Sequence, residues 1–201
     1  MARKQAKQRV PTIHCDACGV EVLPYESVRY GADASVRALC MACFNAEVAR
    51  NHGLMDFEHV NFEPIVMTDF AGLDHEFHFN TMLLGPMVAL EAYEIKRGSR
   101  GGHQFQLIGK PEDDLMALLG RLIERMRRSL SIQHLKISDL GLQIADRTVR
   151  GRIESDDNPN EHAPMLVIDG QDVSWEEFGQ MLFAFEGWQF KLEIRDRSED
   201  N

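Results

Sequence analysis

Only four cysteines occur in the 201 residues, and they stand in two pairs, Cys15-Asp-Ala-Cys18 and Cys40-Met-Ala-Cys43. Thiolates are soft donors, and a C-x-x-C turn brings two of them to one ion at about 2.3 Å. Two such turns complete a tetrahedral shell, which points to one zinc ion held by Cys15, Cys18, Cys40 and Cys43. A shell closed by four thiolates keeps no open position, so this zinc is read as structural and not catalytic. The 21 residues between the pairs run just past the usual spacing of about 15–20, a departure that a hairpin between the knuckles absorbs. Two disulfides would need an oxidising compartment, a thioredoxin-like pair would use a single C-x-x-C beside a βαβ unit, and an iron centre would accept the same four sulfurs. His14, His52 and His59 are read as surface or supporting groups, because the thiolates already fill the shell.

A second reactive stretch is Asp69, Asp74, His75, Glu76 and His78. Its His-Glu-x-His is not the His-Glu-x-x-His of metalloproteases. On a strand, His75 and His78 point to opposite faces and cannot share an ion without a bulge. The bland reading is a turn followed by a half-exposed strand; the sharper one is a hydrolase-type site. The loop Lys96-Arg97-Gly98-Ser99-Arg100-Gly101-Gly102 offers cations and flexible amides to an anion, yet matches no P-loop, and a solvated hairpin tip is the simpler expectation. No Gly-x-Ser-x-Gly occurs, and the cysteines are committed to metal.

These groups need elements to hold them. In the N-terminal part, Val20–Leu23 and Ser27–Tyr30 read as short strands around Pro24-Tyr25, and the second cysteine pair opens a helix from Met41 to Asn51 that ends at His52-Gly53. Strands follow over Pro64–Phe70, His75–Leu84, Val88–Ile95 and His103–Ile108, with a turn at Ala71–Asp74. A helix begins near Pro111, its first turn carrying Glu112, Asp113 and Asp114. Leu115, Leu118, Leu119, Leu122, Met126 and Leu130 form its apolar stripe, and Arg121, Glu124, Arg125, Arg127 and Arg128 its solvated face. Strands near Gly141–Ala145, Val149–Glu154 and Met165–Ile168 precede Asp169-Gly170, a tight-turn signal. Ser174 and Glu177 make a capping box, stapled by Val173 and Phe178. The helix they open buries Trp175, Phe178, Met181, Leu182 and Phe185. Trp188, Phe190, Leu192 and Ile194 then alternate with polar residues as a half-buried antiparallel strand.

Two resemblances follow. The knuckle, hairpin and helix carried by H-C-D-A-C-G at 14–19 and L-C-M-A-C-F-N at 39–45 resemble the treble-clef and zinc-ribbon fingers, which serve in nucleic-acid binding, protein binding and catalysis alike. The region from Pro64 to Arg195 is similar to bacterial domains of unknown function that follow a cysteine knuckle, on the stretches T-D-F-A-G-L-D-H-E-F-H-F and I-D-G-Q-D-V-S-W-E-E-F; no activity comes with that likeness.

The expected architecture is α+β: a basic flexible tail at 1–10, a four-cysteine zinc module at 11–55, an antiparallel-sheet domain with two main helices at 61–197, and an acidic end at 198–201. The net charge of −10 falls wholly in residues 61–201, which carry 15 Lys or Arg against 25 Asp or Glu, while residues 1–60 balance at seven of each sign. That acidic body repels a nucleic-acid backbone, so nucleic-acid binding would need the basic tail or the finger, with Arg29, Arg37 and Arg50. The leading expectation is a cytoplasmic, non-catalytic binding or adaptor protein that engages a protein partner. Neither a signal-peptide pattern nor an apolar run of about 18 residues suggests a membrane.

Overall fold

The computed structural model describes residues 11–32, 35–139, 141–155, 163–196 and 198–199. The expected basic tail at 1–10 lies outside these residues. Thirteen strands and three α-helices are present among them, and the paired strands run antiparallel. The protein is α+β, with the cysteines near the N-terminus.

Strands β1 (Ile13–His14) and β2 (Glu21–Val22) pair around the first cysteine turn. Strand β3 (Ser27–Tyr30) pairs not with β2, as the sequence suggested, but with β4 (Arg37–Cys40). Pro24 opens a 3-10 turn over Pro24–Glu26 that redirects the chain between β2 and β3. Helix α1 (Met41–His52) begins directly after Cys40 and ends on Gly53, whose left-handed φ of 70° caps it.

The central sheet has the order β5-β6-β7-β8: Ile65–Thr68, Asp74–Leu84, Met87–Lys96 and Ser99–Gly109. Strands β7 and β8 fall out of register between Tyr93 and Glu94, leaving Gly102 and His103 as an insertion in β8. Helix α2 (Leu115–Leu130) starts four residues after Pro111, because Asp114 takes the cap and accepts from the Met116 N–H at 2.9 Å. The predicted stripe is borne out: Leu118, Leu122, Met126 and Leu130 are buried against Phe77, Leu90 and Leu107 of the sheet.

The cysteine-bearing segment shares this core. Leu39, Phe44 and Val48 belong to the same apolar cluster as the sheet and α2. Asn45 is fully buried. Its amide donates to the Thr81 carbonyl at 2.7 Å and its oxygen accepts from the Leu83 N–H at 2.8 Å. Strand β5 pairs only with Asp74–Phe77 of β6, so farther along that strand Asn45 stands in for the missing neighbour and keeps buried backbone groups satisfied.

Strands β9 (Leu135–Ser138) and β10 (Gly141–Ile144), the sheet β11-β12-β13 (Arg152–Ser155, Pro164–Ile168, Gln171–Ser174) and helix α3 (Trp175–Leu182) enclose a second core around Leu135, Ile144, Leu166, Ile168, Val173 and Met181. The Ser174–Glu177 capping box is formed as predicted. Two expectations fail here. Of the helix's apolar residues only Met181 is buried, while Trp175 and Leu182 are exposed. Residues 188–194 pair with no strand among the described residues, and Trp188, Phe190, Leu192 and Ile194 stand in solvent, Phe190 at 91% exposure. Alternation assigns side chains to two faces but supplies no neighbouring strand to cover either of them.

Candidate metal centre

The first cysteine turn is closed by Gly19 N–H to Cys15 O at 2.8 Å, and by Cys15 N–H to Val20 O at 2.9 Å. Gly19 sits at a φ of 75°, which a side chain would strain. Asp16 bonds the knuckle to β4: its N–H donates to Ala38 O at 2.8 Å, and its carboxylate accepts from Ala38 N–H at 2.7 Å. Strand β4 then delivers Cys40, and the first turn of α1 delivers Cys43.

All four sulfurs lie within 4.8 Å of one another, and Cys18 Sγ is 3.8 Å from Cys40 Sγ. A tetrahedron with metal–sulfur bonds of about 2.3 Å has edges of about 3.8 Å. Cys15 and Cys40 are buried, Cys43 is half-buried and Cys18 exposed. Burial works against a Cys15 thiolate, yet the N–H groups of Cys40, Cys18 and Ala17 and the Cys18 thiol point at its sulfur, so its pKa falls to about 6. Burial and the neighbouring thiols push Cys43 up, and burial likewise raises Cys40. Four crowded sulfurs share little negative charge until a cation neutralises it, so the cluster suits a metal ion. His14 pairs with Glu21 at 3.2 Å. His59 accepts from Asn45 at Nδ1 (2.8 Å) and donates from Nε2 to Asn61 (3.0 Å).

The Asp69–His78 stretch divides. Glu76 and His78 bond to each other at 3.1 Å, with His78 stacked on Tyr93. Asp74 bonds to Thr68. On the other face, His75 Nε2 lies 3.2 Å from Asp69 and its Nδ1 2.9 Å from Glu94 Oε1. Glu94 Oε2 accepts from the His103 backbone N–H at 2.6 Å and lies 3.2 Å from His103 Nδ1. Burial raises the Glu94 pKa, but hydrogen bonds from His103 and His75, with Lys96 nearby, outweigh it and hold it down to about 2. Glu94 and His103 were missed in the sequence; the only local signal was Gly101-Gly102, which marks the bulge.

In the 96–102 loop, Arg100 is already engaged. Arg100 donates to Glu91 at 2.8 Å and to the Tyr25 carbonyl at 2.9 and 3.2 Å, and stacks on Tyr93 at 4.1 Å. Arg37 is likewise held by Glu47 at 2.6 and 2.7 Å. Among the described residues no helix is long and apolar enough to cross a membrane.

The chain is thus an α+β protein whose N-terminal segment gathers four cysteines at metal-binding distance. Three family models match the chain in tandem, each for a domain of unknown function: DUF7685 over residues 14–55, DUF7686 over 58–131 and DUF7713 over 134–199. No curated protein and no solved structure matches it.

Proposed function

We propose that the protein is a zinc-binding interaction protein: the thiol cluster carries one structural Zn2+ in a treble-clef-like finger, and the chain works by engaging a protein partner. Sulfur spacing at the tetrahedral edge supports zinc, and a reducing cytosol suits unlinked thiols. A knuckle beside β2, the hairpin β3–β4 and a helix with Cys43 in its first turn support the treble-clef comparison.

The observation that carries partner binding is the strip 188–194. Four large apolar side chains are exposed there in a segment with alternating polar residues, where Lys191 and Arg195 both pair with Glu193. Solvent-facing apolar strips of this kind mark interaction sites. A segment with alternating apolar and polar residues and no strand partner among the described residues can add to a partner's sheet edge, which is the occupant proposed. The nucleic-acid reading draws less support, since Arg37 is committed to Glu47 and the net charge is −10.

Metal analysis of protein purified without added metal should find about one zinc per chain, lost on Cys43→Ser; iron instead would sink the zinc assignment. A photo-crosslinking residue at position 190, set against one at exposed Ile137, should trap one discrete protein in cells, and Leu192→Lys should abolish it. Equal smears from both positions, or a crosslink only to a second copy of the chain, would overturn partner binding.

A further inference from the structure

The bulge that misaligns β7 and β8 does something specific to side chains. The β6–β7 pairing ends at His78↔Tyr93, so Phe77 and Glu94 follow one residue beyond it, and Phe77 lies in the core that α2 covers. His75 continues that face beyond Phe77, and the inserted His103 folds back over Glu94. The result is a polar cluster at the end of an apolar surface, with His103 stacked flat against Phe105 and His75 edge-on to His103. The side chains of Asp69, Glu94, His75 and His103 are only 7%, 8%, 11% and 13% exposed. Two nearly buried carboxylates face one cation, the Lys96 ammonium, 3.6 Å from Glu94 and itself half-exposed. Both ring nitrogens of His75 face a carboxylate, Nδ1 Glu94 and Nε2 Asp69, and carboxylates this buried are tolerated only when paired or bound to metal.

We propose that His75 Nδ1, His103 Nδ1 and a carboxylate oxygen of Glu94 form a second, divalent metal site, for an ion of the zinc, cobalt or nickel class. One ligand atom from each residue lies within 4.8 Å of the other two. Two imidazoles and one carboxylate suit these borderline ions rather than the hard cations that prefer oxygen alone. Asp69 completes the pattern: with Nδ1 turned to the metal, His75 presents its Nε2–H to the Asp69 carboxylate at 3.2 Å, the support that fixes ring orientation and tautomer in metal-bound histidines. Asp69 is fixed in turn by the N–H groups of Ala71 and Leu73, which donate to its other oxygen at 2.8 and 2.9 Å. Lys96 donates to the Gly170 carbonyl at 3.2 Å, which anchors it when Glu94 turns to the ion. Three protein ligands leave a position for water, so this ion exchanges where the four-thiolate ion does not. No cysteine contributes a ligand to this site.

The test is Co2+ titration of the full chain with its thiol site already loaded. A further equivalent should bind at micromolar concentration, giving visible d–d bands without new sulfur-to-metal charge transfer, and contact-shifted proton resonances from two histidine rings. The pair His75→Asn and His103→Asn together should lose that equivalent and keep the first; His78→Asn, on the opposite face, should keep both. No second equivalent at micromolar Co2+, or one that survives the double substitution, overturns the site. Should the double variant not fold, the wild-type spectrum decides: two shifted histidine rings uphold the site, and none, or rings affected by substitutions at His14, His52 or His59, remove it.

Discussion

The two flanking regions meet the central sheet by different physics. The finger joins it through one continuous apolar core plus a buried Asn45 that substitutes for a strand. The C-terminal region keeps its own core around Ile168 and Val173 and touches the sheet through polar contacts. Lys96 reaches the Gly170 carbonyl, Arg152 donates to the Gly102 carbonyl at 3.1 Å, and Gly170 lies so close to His103 that a Cβ would strike the ring. Apolar burial is non-directional and sums over area, whereas each exchanged hydrogen bond nets about 1 kcal/mol. The finger and sheet should therefore unfold as one cooperative unit, and the C-terminal region should loosen separately.

The largest test is at the metal. On the proposed zinc reading, Cys43→Ser removes one thiolate of the ion and chelation removes the ion itself; structural zinc sites carry on the order of 10 kcal/mol of binding energy. Hydrogen exchange should rise in β3, β4, α1 and the adjoining β6 together, while β12 and β13 stay protected. If exchange rises in the finger alone, the shared core does not couple it to the sheet. Next in size, Asn45→Ala strands the Thr81 carbonyl and the Leu83 N–H, at about 2–4 kcal/mol by urea melting. Val173→Ala should cost about 1–3 kcal/mol confined to the C-terminal unit; one common transition lowered by both would erase the contrast.

Smaller still, Gly170→Ala should weaken the polar seam by about 1–2 kcal/mol, since a side chain at φ 68° is strained and clashes with His103; proteolysis between α2 and β9 should quicken while the sheet melts as before. The smallest effect is pH dependence at the apolar seam. Burial lowers the His59 pKa below its ordinary 6.5, a hydrogen bond to Asn61 only partly opposing this. A depressed folded pKa means the unfolded chain binds the proton more readily. Its stabilisation is thus whole above pH 6.5 and is lost as pH falls from there through the lower folded value. His59→Gln should flatten that slope; an unchanged slope would show that the Asn45–His59 contact contributes nothing.

Local chemistry explains what the sequence foretold. C-x-x-C spacing is set by the reach of one turn, so the four cysteines were legible before any fold was known. The stripe at 118, 122, 126 and 130 follows from helical period, and the Ser174–Glu177 cap from bonds within one turn. Each is short-range geometry, decided by covalent connectivity.

The meeting of His75 with Glu94 and His103 was illegible for the opposite reason. It depends on how β6, β7 and β8 pair and on an insertion at one register shift, and His75 sees Glu94 across 19 residues of chain. The alternation of 188–194 specified two faces yet could not supply a neighbour for either. Periodicity determined which side chains share a surface; only the tertiary structure decided what that surface meets, because pairing is settled by the free energy of the whole chain and not by any window of it.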